Sequence, residues 1–256
     1  MEKSFQLISL YRKIQRKINF SNIAFFFNIF SKQNVMSKLL MYSSITKKIM
    51  MGVFGLFLAL FLLVHLTVNL LMLAGDDGRL FTGASHFMTT NILIKIIEYV
   101  LFASFFLHIL IGVVLFFQNL ASRPVGYHVV NKSHTEFFSK YMIYTGIIIF
   151  IFLVLHFMDF FFIKMGWVQP PAGVDSHNFY RMAVILFQNK AYSLIYIAFF
   201  IFLGFHLNHA IMSGFQTLGL NHTTYNKAIR IVSTLYAIVV AVGFSIIPIY
   251  FMFFYQ

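Results

Sequence analysis

Of the ten histidines in this chain, four sit far inside apolar stretches: His65, His108, His156 and His206, one to a stretch. An ionisable side chain in such a setting is costly and tends to mark function. Imidazole nitrogens taken in twos are the donor set that a b-type haem requires, because its iron accepts two axial ligands while the macrocycle lies between helices. A single membrane histidine is more often a hydrogen-bond partner of its neighbour; four on separate stretches point to ligation. The chain has no Cys, so it contains no disulfide, thiolate-held cluster or Cys-ligated zinc, and histidine is left as the cofactor ligand.

Five stretches must position these side chains: roughly Ile49 to Leu73, Ile97 to Leu120, Tyr141 to Ile163, Tyr192 to Met212 and Ile231 to Phe254. Each reaches the roughly 20 apolar residues that cross a hydrocarbon layer. Each must be a helix, because a lipid-exposed backbone has to satisfy its own hydrogen bonds. The first four each carry one of the deep histidines and the fifth carries none, although Pro248 within it is expected to kink it. The connections hold the breakers, among them Gly75-Asp76-Asp77-Gly78, Arg123-Pro124, Gln169-Pro170-Pro171 and Asn221-His222-Thr223.

Composition agrees. The 256 residues are 60% hydrophobic and 10% charged, with 35 Phe, and mean hydropathy is +0.82. Too few charges remain to cover a water-facing surface, which excludes a soluble enzyme. Lys and Arg gather at one set of span ends: Lys47, Lys48, Arg123, Lys132, Lys140, Lys227 and Arg230 lie there, with Arg79, Lys95, Lys164, Arg181 and Lys190 opposite. The expected fold is therefore an all-α integral membrane protein, a bundle of five transmembrane helices with a cytoplasmic N-terminus and the C-terminus outside. This bias accounts for most of the net charge of +12, and nucleic acid is not an expected partner. Residues 1–36 form a basic extension, expected either to lie as an amphipathic surface helix or to precede a true start at Met36. Residues 37–256 form the membrane domain.

Depth pairs the histidines. His65 is 16 residues from the inner start of its span and His156 is 15 from its own, which sets both in the outer half. His108 lies 12 residues, and His206 only 6, from the inner ends of theirs. The two levels differ by roughly five to ten residues, or about 7 to 15 Å at helical rise. Spacing thus joins His65 to His156 and His108 to His206, but His209 has a near-equal claim in the fourth span. Gly112 and Gly204 remove bulk near His108 and His206. Asn69 and Asp159 share helix faces with His65 and His156 and are candidates for a supporting shell, a quinone contact or an ordinary helix-end role. Lys47, Lys48, Arg123, Lys140 and Ser213 are candidate partners for haem propionates. His86 is too shallow to join the four, and His128, His134, His177 and His222 are expected to be solvated.

The ordered set Val64-His65-Leu66-Thr67-Val68-Asn69, Ser85-His86-Phe87-Met88, Leu107-His108-Ile109-Leu110-Ile111-Gly112, Leu155-His156-Phe157-Met158-Asp159-Phe160 and Phe205-His206-Leu207-Asn208-His209, followed by Ser213-Gly214-Phe215-Gln216-Thr217-Leu218-Gly219, resembles a known family. It is similar to the diheme cytochrome b membrane anchor of succinate:quinone oxidoreductase, that is succinate dehydrogenase or fumarate reductase (complex II), in its single-chain five-helix form. The resemblance covers about residues 36–256. It implies two haem b groups with axial iron ligands His65 and His156 for the outer haem and His108 and His206 for the inner one. It favours His206 over His209 through the distance to Gly219. It further implies a bacterial inner membrane, flavoprotein and iron-sulfur partner subunits, and menaquinone as the electron acceptor. The chain departs from some fumarate reductases of this type at Gly204, where they carry a Glu associated with proton passage, so that pathway is not implied here. Glu98, at the outer start of the second span, is a candidate for quinone protons.

On this reading the chain is a subunit of an enzyme and not its dehydrogenase site: it has no Gly-rich dinucleotide fingerprint and no Cys for clusters. Two alternatives remain from the sequence. One is the cytochrome b subunit of another quinone-linked dehydrogenase, such as a hydrogenase or formate dehydrogenase. The other is a haem-free proton-coupled transporter whose histidines relay protons.

Overall fold

The computed structural model describes residues 43–121 and 134–255, the side chains of 134–140 excepted. The basic extension 1–36, Arg123, His128 and Lys132 lie outside the described residues, as do the side chains of His134 and Lys140. Every regular element among the described residues is helical: α1 (Ser44–Leu70), α2 (Arg79–Thr90), α3 (Ile92–Ala121), α4 (His134–His156), α5 (Phe179–Gln188), α6 (Lys190–Thr217) and α7 (Thr223–Phe253). A 3-10 turn at Leu71–Leu73 extends α1, and α4 runs on through a π-helical turn at Phe157–Phe161 into a last turn at Phe162–Lys164.

Five helices are long and apolar enough to cross a membrane: Ser44–Leu73, Ile92–Ala121, Tyr141–Lys164, Lys190–Thr217 and Thr223–Phe253. They match the five expected stretches and mostly overrun them, since polar caps and not hydropathy set where they begin. Ser43 Oγ accepts from the amide of Thr46, Asn189 Oδ1 from that of Tyr192, and His222 Nδ1 from that of Thr224. His222 is therefore a helix cap and not simply solvated. Helix α7 continues through Pro248, which is buried. Two connections expected as plain loops contain short helices, α2 and α5, both capping the same end of the bundle. Helix α5 starts at Asn178, whose side chain accepts from the amide of Arg181.

The core is the seam between α6 and α7. Tyr196, Phe200, Leu203, Leu207 and Ile211 on α6 recur every three or four residues, as do Ala237, Val240, Phe244, Ile247 and Phe251 on α7, and all are buried. Leu66 and Ala59 bring α1 into this seam. Helix α6 packs on α7, α1 and α4, while α3 leans chiefly on α1. Where α1 crosses α6, Gly52 and Gly214 meet: a Cβ on Gly52 would lie 3.6 Å from Gly214 Cα, the close approach small residues permit between membrane helices. The Tyr236 hydroxyl of α7 donates to the Ala59 carbonyl of α1. Outward faces stay apolar, as at Leu60 and Ile201, because their solvent is lipid.

Candidate functional site: two histidine pairs and an outer cleft

His65 on α1 and His156, the last residue of α4, come together. Their ring centroids are 5.9 Å apart and their planes stand at 84°. A wall of aromatic rings surrounds them: Phe61 stacks on His65 at 5.3 Å, Phe244 lies 5.8 Å from it, and Phe152 and Phe160 lie 5.8 and 5.2 Å from His156. Such walls exclude water from whatever the imidazoles hold. His156 Nδ1 is buried and has no hydrogen-bond partner, an arrangement that costs free energy unless something else uses the ring. Asn69 Nδ2 donates to the His65 backbone carbonyl at 2.7 Å, so it braces the helix at His65.

The second pair is built differently. His108 on α3 lies over α1: a Cβ on Gly55 would stand 3.2 Å from its Cε1. His206 on α6 meets α4, with Thr145 Oγ1 3.1 Å from its Nδ1 and the Cβ position of Gly146 at 3.9 Å from its Cε1. His108 Nδ1 is buried without a partner.

The two pairs occupy different levels. His108 stands opposite Gly55, ten residues before His65 on α1; His206 stands opposite Thr145 and Gly146, ten or eleven before His156 on α4. Both helices give the same offset, about 15 Å at the helical rise. Among the described residues no group of three or more His, Cys, Asp or Glu converges, and His65 and His156 meet as a pair. Two imidazoles facing across one metal ion have centroids about 6 Å apart, since metal–nitrogen bonds are about 2.0 to 2.1 Å long. The outer pair has that spacing, and its partnerless Nδ1, the glycine beneath His108 and the soft aromatic walls fit a flat, apolar ligated group.

Beyond His156 the helix takes its π turn, and Asp159 within it is gripped by α6. Tyr192 donates to both carboxylate oxygens at 3.1 and 3.0 Å, and Tyr196 to Oδ2 at 2.5 Å. Further out, a cleft of about 950 Å³ opens between α2, α3 and the end of α4, lined by His86, Glu98, Tyr99, Phe102, Phe161 and Lys164, with Asp175 and His177 on its rim. Glu98 pairs with Lys164 at 3.7 Å. Phe161 stands in the π turn and packs on Phe102 at 5.1 Å, so the cleft floor is little more than one turn from His156.

Several expectations shift against this geometry. Gly112 and Gly204 do not clear space for a ring: a Cβ on Gly112 would meet Met51 Cε at 3.1 Å, and one on Gly204 would meet Ala241 Cβ at 3.0 Å. They serve helix packing, while Gly55 and Gly146 are the glycines beside the histidines. His86 and His177 line the cleft. Of the propionate candidates, Lys47 is buried at 3% exposure, a turn before Met51 at the inner level, while Lys48 is exposed and Ser213 half-buried. Gly219, at φ +94°, ends α6, with the Leu220 amide donating to the Phe215 carbonyl. Sequence reasoning missed Thr145, Tyr192, Tyr196 and Lys164, whose relevance depends on contacts between helices.

Compared with known proteins, the chain matches no family model, no curated protein and no solved structure.

Proposed function

We propose that this chain is the diheme cytochrome b membrane anchor of a succinate:quinone oxidoreductase, passing electrons between an iron-sulfur partner subunit and menaquinone. The observation that carries the reading is the meeting of His65 and His156, with His108 and His206 together at a second level about 15 Å away along the bundle. When bound, two b haems supply one-electron redox steps within the bilayer. His65 with His156, and His108 with His206, are the proposed axial ligands of the iron. The phenylalanines around the outer pair keep water away and hold the ring planes, Gly55 leaves His108 room beside α1, and buried Lys47 is the proposed counter-charge for an inner propionate. The outer cleft is the proposed quinone site. Its apolar walls, Phe102 and Phe161, suit an isoprenoid quinone, and Glu98 at its polar side, held by Lys164, is the proposed group through which protons reach the quinone.

The flavin and iron-sulfur chemistry belongs to partner subunits on the face where Lys and Arg concentrate, and the setting is a bacterial inner membrane. A reduced-minus-oxidised absorption spectrum of the purified complex tests the reading: two b-type components are expected. A spectrum without haem in preparations from iron-replete cells overturns it in favour of a proton-coupled carrier. Co-purification with hydrogenase or formate dehydrogenase subunits reassigns the partner.

A further inference from the structure

We propose that Asp159 sets the redox potential of the outer haem by placing an ionised carboxylate beside it. The inference rests on the haem reading above, and its experiment separates the two. Asp159 lies within the membrane-spanning part of α4, where an acidic side chain is expensive and calls for a use. The ion pairs among the described residues are Lys164–Glu98 and Asp175–His177, so no cation among them pairs with Asp159. Both of its oxygens instead accept hydroxyl hydrogens, from Tyr192 at 3.1 and 3.0 Å and from Tyr196 at 2.5 Å. The short contact falls in the charge-assisted range for a hydroxyl donating to a carboxylate. Two phenols thus offer a carboxylate the hydrogen bonds that lipid would not.

The position is aimed. Tyr192 and Tyr196 are one turn apart on α6, preceded by an Asn189 cap that fixes where the helix starts. Tyr196 packs on Phe152 at 5.3 Å, and Phe152 on His156 at 5.8 Å. Phe160, the residue after Asp159, lies 5.2 Å from the His156 ring. The carboxylate is therefore held three residues from one outer ligand by contacts that reach that ligand, and far from His108 and His206. A haem with two neutral imidazoles is more positive by one charge when oxidised than when reduced, so a fixed negative charge nearby stabilises the oxidised form.

The experiment is a potentiometric titration of the two haem bands in the intact complex, the outer component being identified as the one lost in His65→Ala. Asp159→Asn is expected to raise the outer midpoint potential and leave the inner one unmoved, and Asp159→Glu to restore the wild-type value. An unmoved or lowered outer potential in Asp159→Asn, or equal shifts in both components, overturns the proposal. If Asp159→Asn loses the outer haem, retention at the wild-type potential in Asp159→Glu supports the charge; loss from both variants overturns it in favour of packing alone. A wild-type complex with no haem fails the functional reading instead, before any variant is compared.

Discussion

The imidazole of His65 meets that of His156 nearly at right angles, ring centroids 5.9 Å apart, although 91 positions separate them in the chain. Neither histidine caps a helix or pairs with a charge, and both are walled by phenylalanine. If the two hold one metal together, either substitution removes the same group. His65→Ala and His156→Ala are each expected to remove about half of the b-type absorbance, and the double variant no more than either alone, because both ligands serve one iron. Additive loss in the reduced-minus-oxidised spectrum breaks the pairing.

The inner pair has a different vulnerability. Because a Cβ at position 55 stands 3.2 Å from His108 Cε1, a branched side chain there displaces the ring. Gly55→Val is expected to remove the inner component and spare the outer, whereas Gly112→Ala, which presses on the end of Met51, is expected to keep both. Optical titration of the two bands distinguishes these outcomes.

Glu98 is expected to act on quinone protons and not on the haems. Glu98→Gln should lower the rate of quinone reduction by roughly 10² fold, within the usual range for losing a positioned proton donor, and leave both bands at wild-type intensity. An unchanged rate with saturating quinone removes Glu98 from the reaction.

Stability can be probed away from the histidines. The Tyr236 hydroxyl bonds the Ala59 carbonyl across α7 and α1. Tyr236→Phe should cost about 1 kcal/mol, the order found for interhelical hydrogen bonds in membranes. Thermal unfolding in detergent checks this, with the haem spectrum as the control for an intact site.

The span count and the sorting of the histidines by depth were legible in the sequence, because hydropathy and helical rise act along one chain at a time. That His65 meets His156 across the bundle was legible only through that arithmetic. Gly112 and Gly204 show the limit: they stand two to four residues from His108 and His206, yet their faces turn to Met51 and Ala241. Rotational phase between helices depends on packing, as at Gly52 against Gly214, and spacing alone does not report it. Tyr192 and Tyr196 read as ordinary aromatic residues near a membrane surface until the fold brings Asp159 to them. Helices α2 and α5 escaped notice because each is short and follows glycines or prolines that mark a connection.

The π turn at Phe157–Phe161 splits α4 into two segments whose angular settings are independent. A π turn absorbs one extra residue, so the stretch before it can offer His156 to His65 while the stretch after it offers Asp159 to the tyrosines and Phe161 to the cleft. Deleting one residue inside the turn would let it close as an ordinary α turn with both flanks nearly in place, whereas deleting one within the α-helical stretch on either side would swing what lies beyond by about 100° and part either His156 from His65 or the cleft floor from its partners. A one-residue deletion in this helix is therefore expected to be better tolerated at that single turn than in the regular stretches on either side of it.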